Sequence, residues 1–427
     1  MPSLISARRM LAINMPQLLP ANSYVVFAGD SITANGFNIS VPTTYGQPDI
    51  GFSVYTNVFM NGAMRLDSGS NAGVAGNTST QLLSRYNTDV IAKLPAIVVI
   101  LIGTNDLGSV SYTTTLSNID TMIALNRSIG ARTILLKILP RGSDAGHGNN
   151  PMTGSTLTNW ISANAGIASR NARDVYVVDC EPLVGNMDAS HTANTAYFYD
   201  TPPLHPNAVG ANIIGSKVAS IIRTVMSATN SLLTVNNSAA NYVSNGFMTG
   251  TAGVKSGGAT GSAADGWSLA AGSSGGATVV GSKVARDDGF SEWQQVTISG
   301  NYTGNSKTVI FQRNDPNLSG LNSSNKVRIQ AEVQVDAGLQ NIAGISLTCS
   351  PTASQAMTVA SGSASTASYW PSDGPWSGVL RSLEFNLDTT GTNGAILYCN
   401  MQLKNNAASS PCAAVVRWGR AEIVKLS

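Results

Sequence analysis

The stretch Tyr24-Val-Val-Phe-Ala-Gly-Asp-Ser-Ile-Thr33 reads as a short strand that ends at a glycine and gives way to a polar turn. Its first five residues are apolar without alternation, and most are β-branched or aromatic. That pattern marks a strand covered on both faces, as in a parallel sheet. Residues 96–102, 133–139 and 175–179 repeat it. Helical periods lie between these runs. Residues 79–92 place Leu82, Leu83, Tyr86, Val90 and Ile91 on one face, and residues 114–128 do so with Leu116, Ile119, Met122 and Ile123. Residues 157–172 and 208–226 show the same period. Strand–helix alternation over 23–226 predicts an α/β domain, a three-layer α/β/α sandwich around a mostly parallel, flavodoxin-like sheet.

The pattern changes beyond residue 232. No helical period appears, and Gly, Ser and Thr punctuate short alternating runs such as Lys326-Val-Arg-Ile-Gln-Ala-Glu-Val-Gln-Val335. Many short strands separated by turn residues predict an all-β jelly roll or β-sandwich. The expected organisation is an N-terminal extension at 1–22, the α/β domain at 23–228, a polar linker at 229–241 and the β domain at 242–427.

Composition excludes several classes. Of the 427 residues, 43% are hydrophobic, 42 residues are glycine, and only 11% are charged, against about 25% charged in an average soluble domain. Hydrophobic content at that level argues against intrinsic disorder. Both halves are close to neutral and the formal net charge is +2, so electrostatic binding of nucleic acid is not expected. No run reaches the roughly 18 apolar residues of a membrane helix. The segment after Arg8 and Arg9 is broken by Asn14, Pro16 and Gln17 and shows no signal-peptide pattern. Cys180 reads as a core thiol, while Cys349, Cys399 and Cys412 leave one disulfide open. Three scattered histidines form no metal set, and no glycine run has the Lys-Ser/Thr of a phosphate loop, so no cofactor is expected.

Four polar blocks fall where a parallel sheet would bring them to one edge. They are Gly29-Asp30-Ser31, Asn71-Ala-Gly-Val-Ala-Gly-Asn-Thr78, Gly103-Thr104-Asn105-Asp106 and His205-Pro206-Asn207. Each taken singly has a bland reading; Asp30 or Ser31, for instance, suits a helix N-cap. In this order, over about residues 23–226, they resemble the SGNH (GDSL-type) serine hydrolase and esterase superfamily. The resemblance implies Ser31 as nucleophile and His205 as the base that takes its proton and then protonates the leaving alcohol. It further implies an oxyanion hole made by the backbone N–H groups of Ser31 and Gly76 and the side-chain amide of Asn105. One departure stands out. The family places an Asp three residues before the histidine, a position held here by Pro202. Asp200, five residues before His205, is the nearest acid. Either it completes a Ser31–His205–Asp200 triad or a backbone carbonyl orients the ring of a dyad. Asp188-Ala-Ser-His191 has the usual spacing, but no Pro-Asn or helix follows it, so His205 is preferred. His147 reads as a loop residue.

Five of the six tryptophans lie in the C-terminal half. Trp370 and Trp376, in a Pro-, Ser- and Gly-rich segment, are the candidates for stacking on sugar, and the closing run 415–424 resembles that of carbohydrate-binding jelly rolls. The expected function is a serine esterase removing acyl groups, O-acetyl above all, from a carbohydrate. The alternatives are a lectin-like adhesin or phage tail component with a vestigial hydrolase domain, and a lipase or thioesterase. Expected partners are an acylated carbohydrate and a second copy or a virion component. A surface rich in neutral hydrogen-bonding residues suits an extracellular or virion-associated setting.

Overall fold

The structure is a computed structural model that describes residues 17–40, 43–142, 151–314, 316–352, 354–362, 375–388, 390–391 and 395–427. Trp370 and His147 lie outside the described residues.

The α/β part opens with β1 (Val25–Gly29) and a single-turn helix α1 (Ser31–Ala34), followed by β2 (Asn38–Ser40), β3 (Thr44–Pro48) and α2 (Phe52–Phe59). It continues through β4 (Asn71–Gly73), α3 (Ser79–Asp89), β5 (Ile97–Leu101), α4 (Tyr112–Ser128), β6 (Arg132–Leu136), α5 (Gly154–Ala168) and β7 (Val175–Val178). A short α6 (Glu181–Val184) and α7 (Ala208–Ile222) complete it. Five strands form one parallel sheet in the order β4-β1-β5-β6-β7. Both of its faces are buried, as the unbroken apolar runs require. In β1, Val25 and Phe27 join one hydrophobic core, and Val26 and Ala28 join another formed with α3, α4 and α5.

The remainder is β-structure: β8 (Ala252–Ser256), β9 (Thr260–Gly261), β10 (Ala263–Ala270), β11 (Thr278–Ala285), β12 (Glu292–Ser299), β13 (Asn301–Gly304), β14 (Thr308–Arg313) and β15 (Lys326–Val335). Then come β16 (Ile342–Ser350), β17 (Ala356–Ser361), β18 (Trp376–Arg381), β19 (Phe385–Asn386), β20 (Ile396–Leu403), β21 (Asn406–Pro411) and β22 (Ala414–Lys425). One sheet runs β18-β15-β22-β12-β11-β9 and the other β2-β3-β17-β16-β20-β14-β10-β8. Inward side chains of both sheets, Trp267, Phe311 and Trp418 among them, belong to the same core, which is the arrangement of a β-sandwich.

The two parts are joined more closely than a linker would join them. The hairpin β2–β3 leaves the α/β part directly after α1 and adds to the second sheet, β3 pairing in parallel with β17. The core on the β1 side of Val25 and Phe27 is continuous with that of the sandwich. Arg381 of β18, 1% exposed, reaches across to the carbonyl of Gly62 at 2.5 Å and Asn22 Oδ1 at 2.6 Å. The polar run around 229–241 lies along β22: Asn241 accepts from the N–H of Ile423 and donates to the carbonyl of Ala421. All four cysteines are free and buried.

Asp49, between β3 and α2, is 2% exposed, and its Oδ2 has no hydrogen-bond partner among the described residues. Burial pushes its carboxyl up to about 8. The folded state therefore holds a proton that the unfolded chain releases near pH 4. Its contribution to stability declines as pH rises from about 4 to about 8 and levels off above. Asp49→Asn removes that slope. Urea midpoints measured at pH 5 and pH 9 should show the variant gaining on the parent protein at the higher pH.

Candidate active site

The register of three neighbouring strands assembles the site. Gly29 at the end of β1 pairs with Gly73 at the end of β4 and with Leu101 at the end of β5. Neighbouring strands lie about 4.8 Å apart, so the segments that follow, carrying Ser31, Gly76 and Asn105, leave the carboxyl edge side by side.

Asp30 caps α1, its Oδ1 accepting from the N–H of Ile32 at 3.0 Å. The cap is thus Asp30, not Ser31. Asp30 is fully buried, and desolvation pushes its carboxyl up to about 7. Ser31 is the first residue of the helix. Its Oγ lies 2.8 Å from His205 Nε2, and His205 Nδ1 lies 2.6 Å from Asp200 Oδ2. The five-residue spacing closes because the loop folds back onto the carboxylate: Asp200 Oδ1 accepts the N–H groups of Leu204 at 2.8 Å and His205 at 2.9 Å. Burial opposes the charge on Asp200. The bonds from the His205 ring and from these two backbone N–H groups outweigh it and hold the carboxyl below its ordinary value.

Asn207 fixes where His205 stands. Its Oδ1 caps α7 through the N–H groups of Val209 and Gly210, and its Nδ2 donates to the carbonyl of Ala196 at 2.8 Å. The ring of Tyr199 stacks on that of His205, with centroids 5.7 Å apart and planes 13° apart. Its Oη accepts from Asn35 Nδ2 at 3.2 Å.

The other expected donors sit as follows. Gly76 has φ +77°, a conformation that favours glycine. Among the described residues, neither its N–H nor that of Ser31 has a hydrogen-bond acceptor. Asn105 uses one amide hydrogen on the carbonyl of Asn77 at 3.0 Å, which leaves the second. The loop bearing Gly76 is anchored from both ends. Arg85 donates to Asn77 Oδ1 at 2.8 Å and to the carbonyl of Gly29 at 3.1 Å. Asp106, buried, accepts from the N–H of Ser79 at 2.9 Å, from the Ser79 hydroxyl, and from Thr115 Oγ1 at 2.9 Å.

One expected loop position differs, and His191, passed over in favour of His205, stands apart from Ser31. Trp376 is not in a loop. It opens β18 opposite Val335, half-buried, with its ring edge-on to Phe59 at 6.1 Å. His191 pairs with Glu181 at 2.5 Å and packs on Trp160. Among the described residues, no group of three or more His, Cys, Asp or Glu side chains is placed to hold a metal ion.

A sheet edge that presents a serine, a histidine and a carboxylate in one hydrogen-bonded line defines a domain of the serine acylhydrolase class. Residues 27–213 match the model of the GDSL-like Lipase/Acylhydrolase family, and the α/β part is a GDSL-like (SGNH) lipase/acylhydrolase domain. Solved structures similar to the chain include a GDSL-like lipase from Bacteroides thetaiotaomicron, 24% identical, covering 52% of this chain and 100% of its own, with a TM-score of 0.37. A catalytic mutant of an acetylxylan esterase from Geobacillus stearothermophilus is 19% identical and covers 50% of this chain and 100% of its own, with a TM-score of 0.38. An α/β-hydrolase from the metagenome of Lake Arreo is 20% identical and covers 50% and 99%, with a TM-score of 0.37. No curated protein matches the chain.

Tyr199, Arg85 and the structural role of Asp106 were not apparent from the sequence. Asp106 does carry a sequence signal, an acid directly after Asn105 at the end of a buried strand. Gly142 is a further support. Its N–H donates to the carbonyl of Pro203 at 2.8 Å, and a Cβ there would meet Pro202 Cβ at 2.6 Å and Pro203 Cδ at 2.9 Å. Gly142→Ala should therefore push the 200–205 loop outward. Misplacing a catalytic group by about 1 Å costs up to roughly 100-fold. Steady-state kinetics on p-nitrophenyl acetate should show kcat falling by about 10- to 100-fold with KM little changed.

Proposed function

We propose that this chain is a serine esterase that removes small acyl groups, O-acetyl above all, from a carbohydrate. The observation that carries the reading is the continuous line Ser31 Oγ–His205 Nε2 at 2.8 Å and His205 Nδ1–Asp200 Oδ2 at 2.6 Å.

In the proposed reaction, Ser31 Oγ attacks the ester carbonyl as its proton passes to His205 Nε2. Asp200 holds Nδ1 protonated, so that Nε2 is the basic nitrogen, and stabilises the imidazolium. The tetrahedral oxyanion is met by the N–H groups of Ser31 and Gly76 and the free amide hydrogen of Asn105, one such donor being worth about 3 kcal/mol. Collapse expels the sugar alkoxide, which takes the proton from Nε2, and leaves an acyl–Ser31 ester. A water molecule then attacks that ester. Its proton goes to Nε2 and returns to Ser31 Oγ as the carboxylic acid leaves. No metal or cofactor is needed for atoms or charge to balance.

Preference for a small acyl group on a polar alcohol rests on the surroundings of Ser31. The side chains that the structure ties to the site are those of Asn35, Asn77, Asn105 and Tyr199. They offer hydrogen bonds to the hydroxyl groups of a polar alcohol.

The test is a panel of p-nitrophenyl esters of increasing acyl length together with acetylated polysaccharides. Acetyl esters should be turned over fastest, and acetate should be released from at least one polysaccharide. Ser31→Ala and His205→Ala should reduce kcat to near background. Asp200→Asn should reduce it by about 10³- to 10⁴-fold if that carboxylate sets the tautomer. Turnover confined to long acyl chains would convert the reading to lipase, and turnover that survives Ser31→Ala would refute the mechanism.

A further inference from the structure

At the opposite edge of the parallel sheet lies a cavity of about 480 Å³, within the size range of small-ligand sites. It is lined by residues that precede the strands whose far ends carry the catalytic loops. Tyr24 comes just before β1, Asp67–Gly69 before β4 and Lys93 before β5. A five-residue strand spans about 16 Å, so the cavity stands roughly that far from Ser31 and is separate from the catalytic edge. Its other wall comes from the β-sandwich: Lys326 of β15, Phe385 and Asn386 of β19, and Glu384 just before it. The cavity exists only where the two parts of the chain meet.

Its polar groups are balanced in sign. Lys93 and Lys326 face Asp67 and Glu384. The Lys93 ammonium, half-buried, donates to the carbonyl of Gly69 at 2.8 Å and has no ion-pair partner among the described residues. Asp67 accepts from Tyr24 Oη at 2.6 Å and from the N–H of Gly69 at 2.8 Å. Glu384 is shared among Arg65 at 3.4 Å and Lys326 and Arg381 at 4.0 Å. Ser68 and Asn386, both exposed, add a hydroxyl and an amide at the rim. Tyr45 and Phe385, both buried, pack on each other at 5.3 Å beneath these groups, and the Arg65 guanidinium lies over the Tyr24 ring at 4.9 Å. An anion would meet the two carboxylates and a cation the two ammonium groups. A hydroxyl group both donates and accepts, so it can satisfy a carboxylate and an ammonium at once. A polyhydroxylated ring presents several such groups at once, spaced to meet both ammonium groups and both carboxylates.

We propose that this cavity is a second, non-catalytic binding site, and that it takes a sugar unit of a glycan. It stands on the cavity's own donors and acceptors and does not depend on Ser31 being a nucleophile. Its function would be to hold the chain on a polymer while the opposite edge works on esters elsewhere.

The experiment uses the full chain carrying Ser31→Ala, so that binding is read without turnover, on an array of neutral and acidic oligosaccharides followed by calorimetry on the hits. At least one oligosaccharide should bind. Lys93→Ala and Asn386→Ala, each added separately, should weaken that binding by about tenfold, the loss expected for one hydrogen bond. Asn386 is exposed, so its variant reports on the site even if Lys93→Ala perturbs the fold. The proposal is overturned if no oligosaccharide binds at millimolar concentration, or if the hits keep their affinity in both variants. Failure here leaves the esterase reading untouched, since an active esterase can lack this site and an inactive chain can possess it.

Discussion

The alignment of three strand ends governs what this molecule can do. Gly29, Gly73 and Leu101 lie in register across β4, β1 and β5, so the loops that follow have no choice but to meet. Backbone hydrogen bonding fixes that alignment, and burial of both sheet faces prevents it from slipping. A one-residue shift of β1 would exchange Val25 and Phe27 with Val26 and Ala28 between two differently shaped cores. Side chains then refine what the register supplies. Arg85 and Asp106 tie the second and third loops to their neighbours, and Asp200 gathers the histidine loop around itself. The machinery around Ser31 is therefore a product of sheet geometry first and local hydrogen bonding second.

The β-sandwich is not a loosely tethered passenger. It shares a hydrophobic core with one face of the α/β part, receives the β2–β3 hairpin as two strands of its own sheet, and inserts Arg381 among backbone groups of the other part. A contact of that kind is closer to a domain interior than to a transient interface. Relative motion of the two parts would break sheet hydrogen bonds as well as apolar contacts. The cavity at the seam inherits the same rigidity, because its two walls cannot separate without parting β3 from β17.

Much of this was legible in the residues. Continuous apolar runs at 24–28, 96–102, 133–139 and 175–179 mark buried parallel strands because no half-exposed strand can afford them, and each became a strand of the sheet. The polar blocks were readable because polar residues at the end of such strands have few structural reasons to be there. The elements without a sequence signature are short or non-local. β4 has three residues and α2 eight, too few to show a period. The β2–β3 hairpin has little local signature, since its partner β17 lies some 310 residues away in the chain. Trp376 sat in a segment of turn-forming composition but opens a strand, because Phe59 and the pairing of β18 with β15 outweigh local preference. The departure at Pro202 was visible, yet its resolution was not. Sequence spacing says nothing of two backbone N–H groups turning back onto Asp200.

The position of the β2–β3 hairpin has a consequence for the order in which the molecule is made. During synthesis residues 38–48 leave the ribosome long before residues 356–361, at a few to about 20 residues per second. For that interval β3 has no partner on the side that β17 will cover, and the apolar face beneath α2 has no sandwich to cover it. An open strand edge beside exposed apolar surface is a template for association between nascent chains. The hairpin itself carries a partial remedy: β3 is only five residues long and ends in Pro48, and both features discourage pairing with the wrong chain. The strand that locks the finished molecule together is thus also the one its biogenesis must protect the longest.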